Sequence, residues 1–255
     1  MTKDAPLELD VVIDATPQTV FHTLVDPASF AVWMGAAMGK ATIDPRVGGE
    51  VRVDFPSDLV VMGEVLEMEA PKRLVLSWGV KSGDPFPPGA TRVEFLVEPL
   101  GSGARLVLRH HGLPDEEQKQ DHYGGWRLYT SVLAAHAASL QHGEKLGATL
   151  DAWFSAWREA DAEERSALLA TCTTDAVAFR HAYAALTGRQ DLSQHIAASL
   201  QHMAGMRLEA NGEPSLCHGW VRFPWKVTKD GQQVAEGMNV GLLGADSRFE
   251  LVVGF

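Results

Sequence analysis

Hydrophobic and polar positions alternate along the chain with two different periods, and each change of period marks a new element. In LELDVVIDA, Leu7, Leu9, Val11 and Ile13 take every second position, the period of a half-buried strand. Thr16-Pro17 then supplies a hydroxyl for the N-cap and a proline for the first helical position. Val20, Phe21 and Leu24 give that helix an apolar face, and Asp26-Pro27 ends it. A second short helix is expected from Pro27 to Met34. From there to about residue 110 the period is two. GEVRVDF, LVVMGEVLEME, RLVLSWGV, TRVEFLVEPL and ARLVLRHH are parted by the turn sequences RVGG, PSD, EAPK and LGSG. After GLPDEEQKQDHYGGW, Trp126, Tyr129, Leu133, His136 and Leu140 recur at helical spacing. Strand, two short helices, a meander of antiparallel strands and a long helix predict a helix-grip domain over residues 1–142. A curved sheet wraps the helix and leaves a cavity between them.

The polar, glycine-bearing stretch SLQHGEKLGAT is expected to be a linker, and the order then restarts. LDAWFSAWREA predicts a helix with Leu150, Trp153, Phe154 and Trp157 on one side. EERSALLATC predicts a second helix, TDAVAF an extended piece, and QDLSQHIAASLQHM a third helix. Four strands follow in MRLEANG, SLCHGWVRFPWKVT, QQVAEGMNVGLL and RFELVVGF. Helices followed by a strongly curved antiparallel sheet predict an α+β cone over residues 147–255. Both halves thus fall in the α+β class, and no internal repeat relates them.

Composition narrows the function. The 255 residues are 45% hydrophobic, enough for two cores without covalent staples. Thirty-three acidic against twenty-two basic side chains leave a net charge of -11. That balance argues against nucleic acid and anionic membrane surfaces as partners, since both call for a basic face. Cys172 and Cys217 form no disulfide framework, so a reducing cytoplasm is expected. MTKDAPLELD lacks the basic and apolar regions of a signal peptide. No apolar run approaches the ~20 residues that span a bilayer.

The densest chemistry lies in HHGLPDEEQKQDHYGGW. His110 and His111 are consecutive on a strand, so they point to opposite faces. His122 lies beyond a turn with no cysteine near, so neither a metal nor a cofactor is expected. His110 and His122 either tie the last strand to the long helix, with Trp126 filling the core, or line a pocket. Trp33, at the end of a helix, and Trp78, on a strand, face the same choice between core and pocket. His136, on the apolar stripe of the long helix, is expected to be a core residue.

In the second half, Asp230-Gly231 marks a two-residue hairpin. The simplest register pairs Trp225 with Glu236, Phe223 with Met238 and Val221 with Val240. One face of the hairpin is then apolar except at Glu236, and a carboxylate there is costly unless paired or protonated. Glu236 is therefore the leading acid–base candidate, against the alternative of an ion-paired or wet position. Trp153, Trp157, Tyr183, Phe223, Trp225 and Met238 are candidates for lining the same cavity. His181 is a candidate base or a solvent-facing loop residue, and His195 is expected to be structural. Patterns for serine hydrolases, metalloproteases and P-loop enzymes are absent.

Several of these motifs carry a family likeness. FAVWMGAAMGKATIDPRVGGEVRVDF, GEVLEMEAPKRLVLSW and the HxGLP…H…GW pattern resemble the activator of heat-shock protein 90 ATPase homologues, within the START/birch-pollen-allergen-like (SRPBCC) superfamily. DAVAF…GRQDLSQHI, WVRFPWKVTKDGQQVAEGMNVGLL and RFELVVGF resemble SnoaL-like, nuclear-transport-factor-2-like domains. Both likenesses imply a mostly apolar pocket inside a curved sheet. Ketosteroid isomerases share the second fold and carry a catalytic aspartate near the position where Arg180 or His181 stands here, which argues against that chemistry. Expected from all this is a cytoplasmic protein of bacterial type that binds a small hydrophobic, aromatic or polyketide-like ligand. Cofactor-independent cyclase, isomerase or hydratase chemistry accompanies that reading, with a homodimer formed through the sheet face bearing Trp220 and Arg222. The competing reading is a co-chaperone-like interaction protein without catalysis.

Overall fold

The computed structural model describes residues 5–36 and 39–255. The first residues of the N-terminal stretch and Ala37-Met38 of the FAVWMGAAMGK segment lie outside the described residues. The chain divides into two compact units, 1–138 and 139–255.

The first unit is a seven-stranded antiparallel sheet and a long helix. The strands are β1 (Leu7–Ile13), β2 (Lys40–Ile43), β3 (Glu50–Asp54), β4 (Val60–Glu69), β5 (Arg73–Val80), β6 (Thr91–Leu100) and β7 (Gly103–His111), in the spatial order β1-β7-β6-β5-β4-β3-β2. Helices α1 (Pro17–Val25) and α2 (Pro27–Met34) fill the first connection. Their caps follow from the sequence. Thr16 Oγ1 accepts from the Thr19 amide at 3.3 Å. Asp26 ends α1 and caps α2, accepting from the Ser29 amide at 2.9 Å, a bond that holds its carboxyl below the usual range. Inward residues of the strands are apolar, whereas the opposite face carries cross-strand pairs such as Arg109–Glu8 at 2.7 Å and Arg73–Glu94 at 2.7 Å.

The long helix departs from expectation. It is α3 (Glu116–Ala156), one helix of 41 residues that takes in both the expected linker and LDAWFSA, the start of LDAWFSAWREA. Gly143 and Gly147 cost ~1 kcal/mol each in a helix, but the surrounding leucine, glutamine, glutamate, lysine and alanine are strong helix formers that offset them. The boundary between the units accordingly falls inside a helix and not in a loop.

The second unit adds α4 (Ala162–Cys172), β8 (Thr173–His181), β9 (Ala184–Thr187), α5 (Arg189–His202), β10 (Met206–Ala210), β11 (Ser215–Cys217), β12 (Trp220–Lys229), β13 (Gln232–Leu243) and β14 (Phe249–Gly254). Its strand order is β10-β12-β13-β14-β8-β9, with β11 on β12. The expected single strand SLCHGWVRFPWKVT is two, because His218 (φ 49°) and Gly219 (φ 77°) make a tight turn that pairs Cys217 with Trp220. The sheet is mixed and not purely antiparallel, since β14 runs parallel to β8. His142, fully buried on α3, bonds through Nδ1 to Ser247 Oγ at 2.9 Å, and Thr149 donates to the Ser247 carbonyl at 3.0 Å, holding the β13–β14 turn to the helix within this unit.

Candidate functional site

Two cavities, one in each unit, hold most of the residues singled out in the sequence. The first, of about 390 Å³, lies between the sheet and α3. His122, Trp126 and Tyr129 fall within two turns of α3 and so share one helix face. Trp78 reaches the same space from β5 and packs on Trp126 with ring centroids 5.1 Å apart. Phe55 packs against Tyr129, and Gln118, Asp121 and His122 form one polar corner.

His122 Nδ1 donates to the Gln118 carbonyl at 2.8 Å, which leaves Nε2 with its lone pair. Burial holds the imidazole below its ordinary pKa, so it is a neutral acceptor at neutral pH. Burial pushes the Tyr129 phenol up, so it remains a donor. The cavity thus offers aromatic walls, the Tyr129 hydroxyl as a donor and the His122 imidazole as an acceptor, beside the Gln118 amide and the Asp121 carboxylate.

Two expected lining residues lie behind these walls. Trp33 is core: its Nε1 donates to the Thr23 carbonyl at 3.0 Å, and its ring meets Phe30 and Phe95 edge-on. His110 is also core, 1% exposed. Trp126 Nε1 donates to His110 Nδ1 at 3.1 Å, which puts the imidazole proton on Nε2. Nε2 donates to Thr91 Oγ1 at 2.9 Å, and Thr91 donates to the Trp78 carbonyl at 2.9 Å. Burial, reinforced by the neighbouring His122 and His111, pushes the His110 pKa down to about 3. His110 therefore ties β7 to β6 and α3, while His122 of the same motif faces the cavity. His111 points the other way, toward Glu94 at 3.9 Å. Among the described residues, no group of three or more His, Cys, Asp or Glu is placed to hold a metal.

The second cavity, of about 270 Å³, is in the second unit. Trp157, His181, Tyr183 and Trp225 line it, with Tyr183 at the rim, 90% exposed. His181 lies on the last residue of β8 and not in a loop. Trp153 and Phe223 are instead fully buried core residues, packed on each other and on Phe249. His195, expected to be structural, lines the cavity from α5, and burial followed by the nearby His181 holds its pKa down.

Glu236 and Met238 require a correction. Val227 pairs with Ala235 and Thr228 with Gln233, so Val234 is an extra residue in a β-bulge. Beyond it Lys226 meets Glu236, Pro224 meets Met238 and Phe223 meets Asn239. The shift turns Glu236 and Met238 to the face opposite Phe223. Glu236 is exposed there and accepts from Gln233 Nε2 at 2.8 Å and Asn211 Nδ2 at 3.3 Å, so the expected desolvated carboxylate does not exist. The cause is steric. A Cβ on Gly237 would stand 2.2 Å from the Trp225 ring, and one on Gly241 would stand 2.4 Å from the Phe249 ring. Only a register that puts glycines under these rings closes the core. Asn239 was missed because its inward position is legible only once the bulge is known. Tyr129 was within reach, three residues after Trp126 on the same helix face.

Residues 14–138 match the model of the family described as Activator of Hsp90 ATPase homolog 1-like protein. An AHSA1 protein from Silicibacter pomeroyi is 28% identical over 54% of this chain and 100% of its own, with a TM-score of 0.44. A Chromobacterium violaceum protein is 26% identical over 51% of this chain and 94% of its own, with a TM-score of 0.45. A SnoaL-like family protein from Agrobacterium tumefaciens strain C58 is 28% identical over 43% of this chain and 95% of its own, with a TM-score of 0.41. No curated protein matches the sequence. Over residues 14–138 the chain therefore resembles the Activator of Hsp90 ATPase homolog 1-like family.

Proposed function

We propose that the protein is a cytoplasmic binder of a small hydrophobic, ring-bearing molecule, and that the first cavity is its principal site. One observation carries this reading: a space of about 390 Å³ walled by Trp78, Trp126, Phe55 and Tyr129, with Gln118, Asp121 and His122 as its further polar lining. Apolar walls supply affinity, and a few convergent polar groups fix orientation. A bound ring carrying a carbonyl and a slightly acidic C–H or O–H would meet the Tyr129 hydroxyl and the His122 lone pair. Any chemistry at this site is accordingly proton transfer of the cyclase, isomerase or hydratase kind, with His122 as the acceptor.

Gly125 provides the test. It lines the cavity, and a Cβ there meets only Tyr129 Cε2, at 3.9 Å. Gly125→Leu should fill the cavity and also gain ~1 kcal/mol in helix propensity. Native mass spectrometry of protein purified from its own cells should show a small-molecule adduct on the wild type and none on Gly125→Leu. No adduct on either protein, or the same adduct on both, overturns the reading.

The family description favours a second reading, in which the first unit engages a chaperone ATPase. Under that reading the adduct is missing, and a chaperone co-purifies with wild type and Gly125→Leu alike.

A further inference from the structure

A groove of about 620 Å³ lies between α4 and α5 of the second unit and shares no lining residue with either cavity. Its charged lining residues are Arg165, Arg189 and Asp175, so it is net positive in a chain of net charge -11. Glu163, Glu164 and Asp191, on the same two helices, are exposed and do not line it.

Arg165 is the unusual member. It is 4% exposed, yet it meets no carboxylate among the described residues. Nε donates to Ser193 Oγ at 3.1 Å, and Nη1 donates to the Glu159 and Ala160 carbonyls at 2.9 and 3.1 Å. These bonds staple the turn after α3 to α4 and α5, and they use three of the five guanidinium N–H groups. The two on Nη2 have no partner among the described residues, and Nη2 is not sealed in the interior, so it opens on the groove. A cation taken out of water calls for a counter-charge, and here only neutral oxygens answer it.

Arg189 repeats the pattern. Its Nε donates to Thr173 Oγ1 at 3.3 Å, and its Nη2 reaches the Thr173 carbonyl at 2.8 Å and Asp175 at 2.7 Å, which leaves Nη1 without a partner among the described residues. Asp175 sits at the rim, its side chain 91% exposed. Ser193 accepts from Arg165, so its hydroxyl hydrogen is left to donate. Gly188, the N-cap of α5, brings no side chain to the amides of the first turn, and Arg189 and Gln190 of that turn line the groove.

We infer that this groove is an oxyanion site, which takes the phosphate group of a small phosphomonoester through Arg165 Nη2, Arg189 Nη1 and the Ser193 hydroxyl. Neither guanidinium keeps the pair of free nitrogens that forks a carboxylate. What remains is single donors from two helices, which match oxygens set out in several directions. Arg165 is recessed and the chain is net negative, so the group arrives on a soluble molecule and not on an anionic lipid surface. This site is independent of the ligand of the first cavity.

Three ring-free probes keep the aromatic cavities out of the test: inorganic phosphate, glycerol 3-phosphate and acetate. In calorimetric titration of the full chain, both phosphates should bind with Kd below ~1 mM and at least tenfold tighter than acetate. Arg165→Met should weaken both at least tenfold. Because Arg165 also staples the turn, a second variant leaves that staple intact. Ser166→Glu sets a carboxylate at an exposed groove position on α4 and should weaken both phosphates at least tenfold. Acetate binding as tight as phosphate overturns the inference. So do failure of both phosphates to bind and full phosphate affinity in a folded Arg165→Met or Ser166→Glu protein. Co-sedimentation with vesicles of phosphatidic acid and phosphatidylcholine overturns the soluble source.

Discussion

Acid should unfold this protein through His110. Its ring is neutral in the folded chain down to about pH 3, whereas its ordinary pKa is 6.5. Unfolding in the interval between those values takes up a proton, so the sign is fixed. The stability that comes from keeping His110 neutral is present above pH ~6.5 and is lost as the pH falls toward 3. At ~1.4 kcal/mol per pH unit, the loss is ~2 kcal/mol by pH 5 and ~5 kcal/mol at its limit. With a urea dependence of ~2 kcal/mol per molar, the step from pH 7 to pH 5 lowers the unfolding midpoint by ~1 M. Other groups titrate in the same range, so the measurement is a difference. Urea midpoints of wild type and His110→Gln are followed by tryptophan fluorescence from pH 7.5 to 4.5. Between pH 7 and pH 5 the wild-type curve should fall by ~1 M more than that of the variant. Parallel curves refute the reasoning. So does a ring resonance of His110 that titrates near pH 6 in the native protein.

The remaining predictions concern neighbouring features. Thr91→Val keeps the shape of a side chain that both accepts from His110 and donates to the Trp78 carbonyl, and so leaves two buried groups unpaired. It should cost ~2–5 kcal/mol by denaturant titration, and a loss below ~1 kcal/mol would mean that the relay contributes nothing net. Glu236→Gln should change stability by less than ~0.5 kcal/mol in a denaturant titration, because the carboxylate lies on the solvent face, and a loss above ~2 kcal/mol would place it in the core.

Much of the first unit is legible in its residues because its determinants are local. Period-two runs set the strands, Thr16 and Asp26 cap the helices, and Trp126 and Tyr129 share a helix face. The His110–His122 motif is legible as a choice between strand-to-helix tie and pocket lining, and each histidine takes a different branch. The second unit is less legible because its determinants lie far apart along the chain. The parallel pairing of β14 with β8 joins segments about seventy residues apart and leaves no local trace. The turn at His218-Gly219 hides in a run of strand-forming residues. The helix through Gly143 and Gly147 depends on formers that outweigh two glycines. The register of β13 depends on the ring volumes of Trp225 and Phe249, to which alternation of polar and apolar residues is blind.

The bulge at Val234 has a consequence for how this hairpin can vary in length. The tip pairs Lys229 with Gln232 and Thr228 with Gln233, whereas the body of the strand is locked from Ala235 onward by glycines under rings. Val234 lies between these two registers and is half exposed. A chain one residue shorter here would lose the bulge and still present Asn239 opposite Phe223. The hairpin therefore has an expansion joint. Gains and losses of single residues near its tip are absorbed outside the cavity, whereas the same change beyond Ala235 would exchange every inward side chain for an outward one.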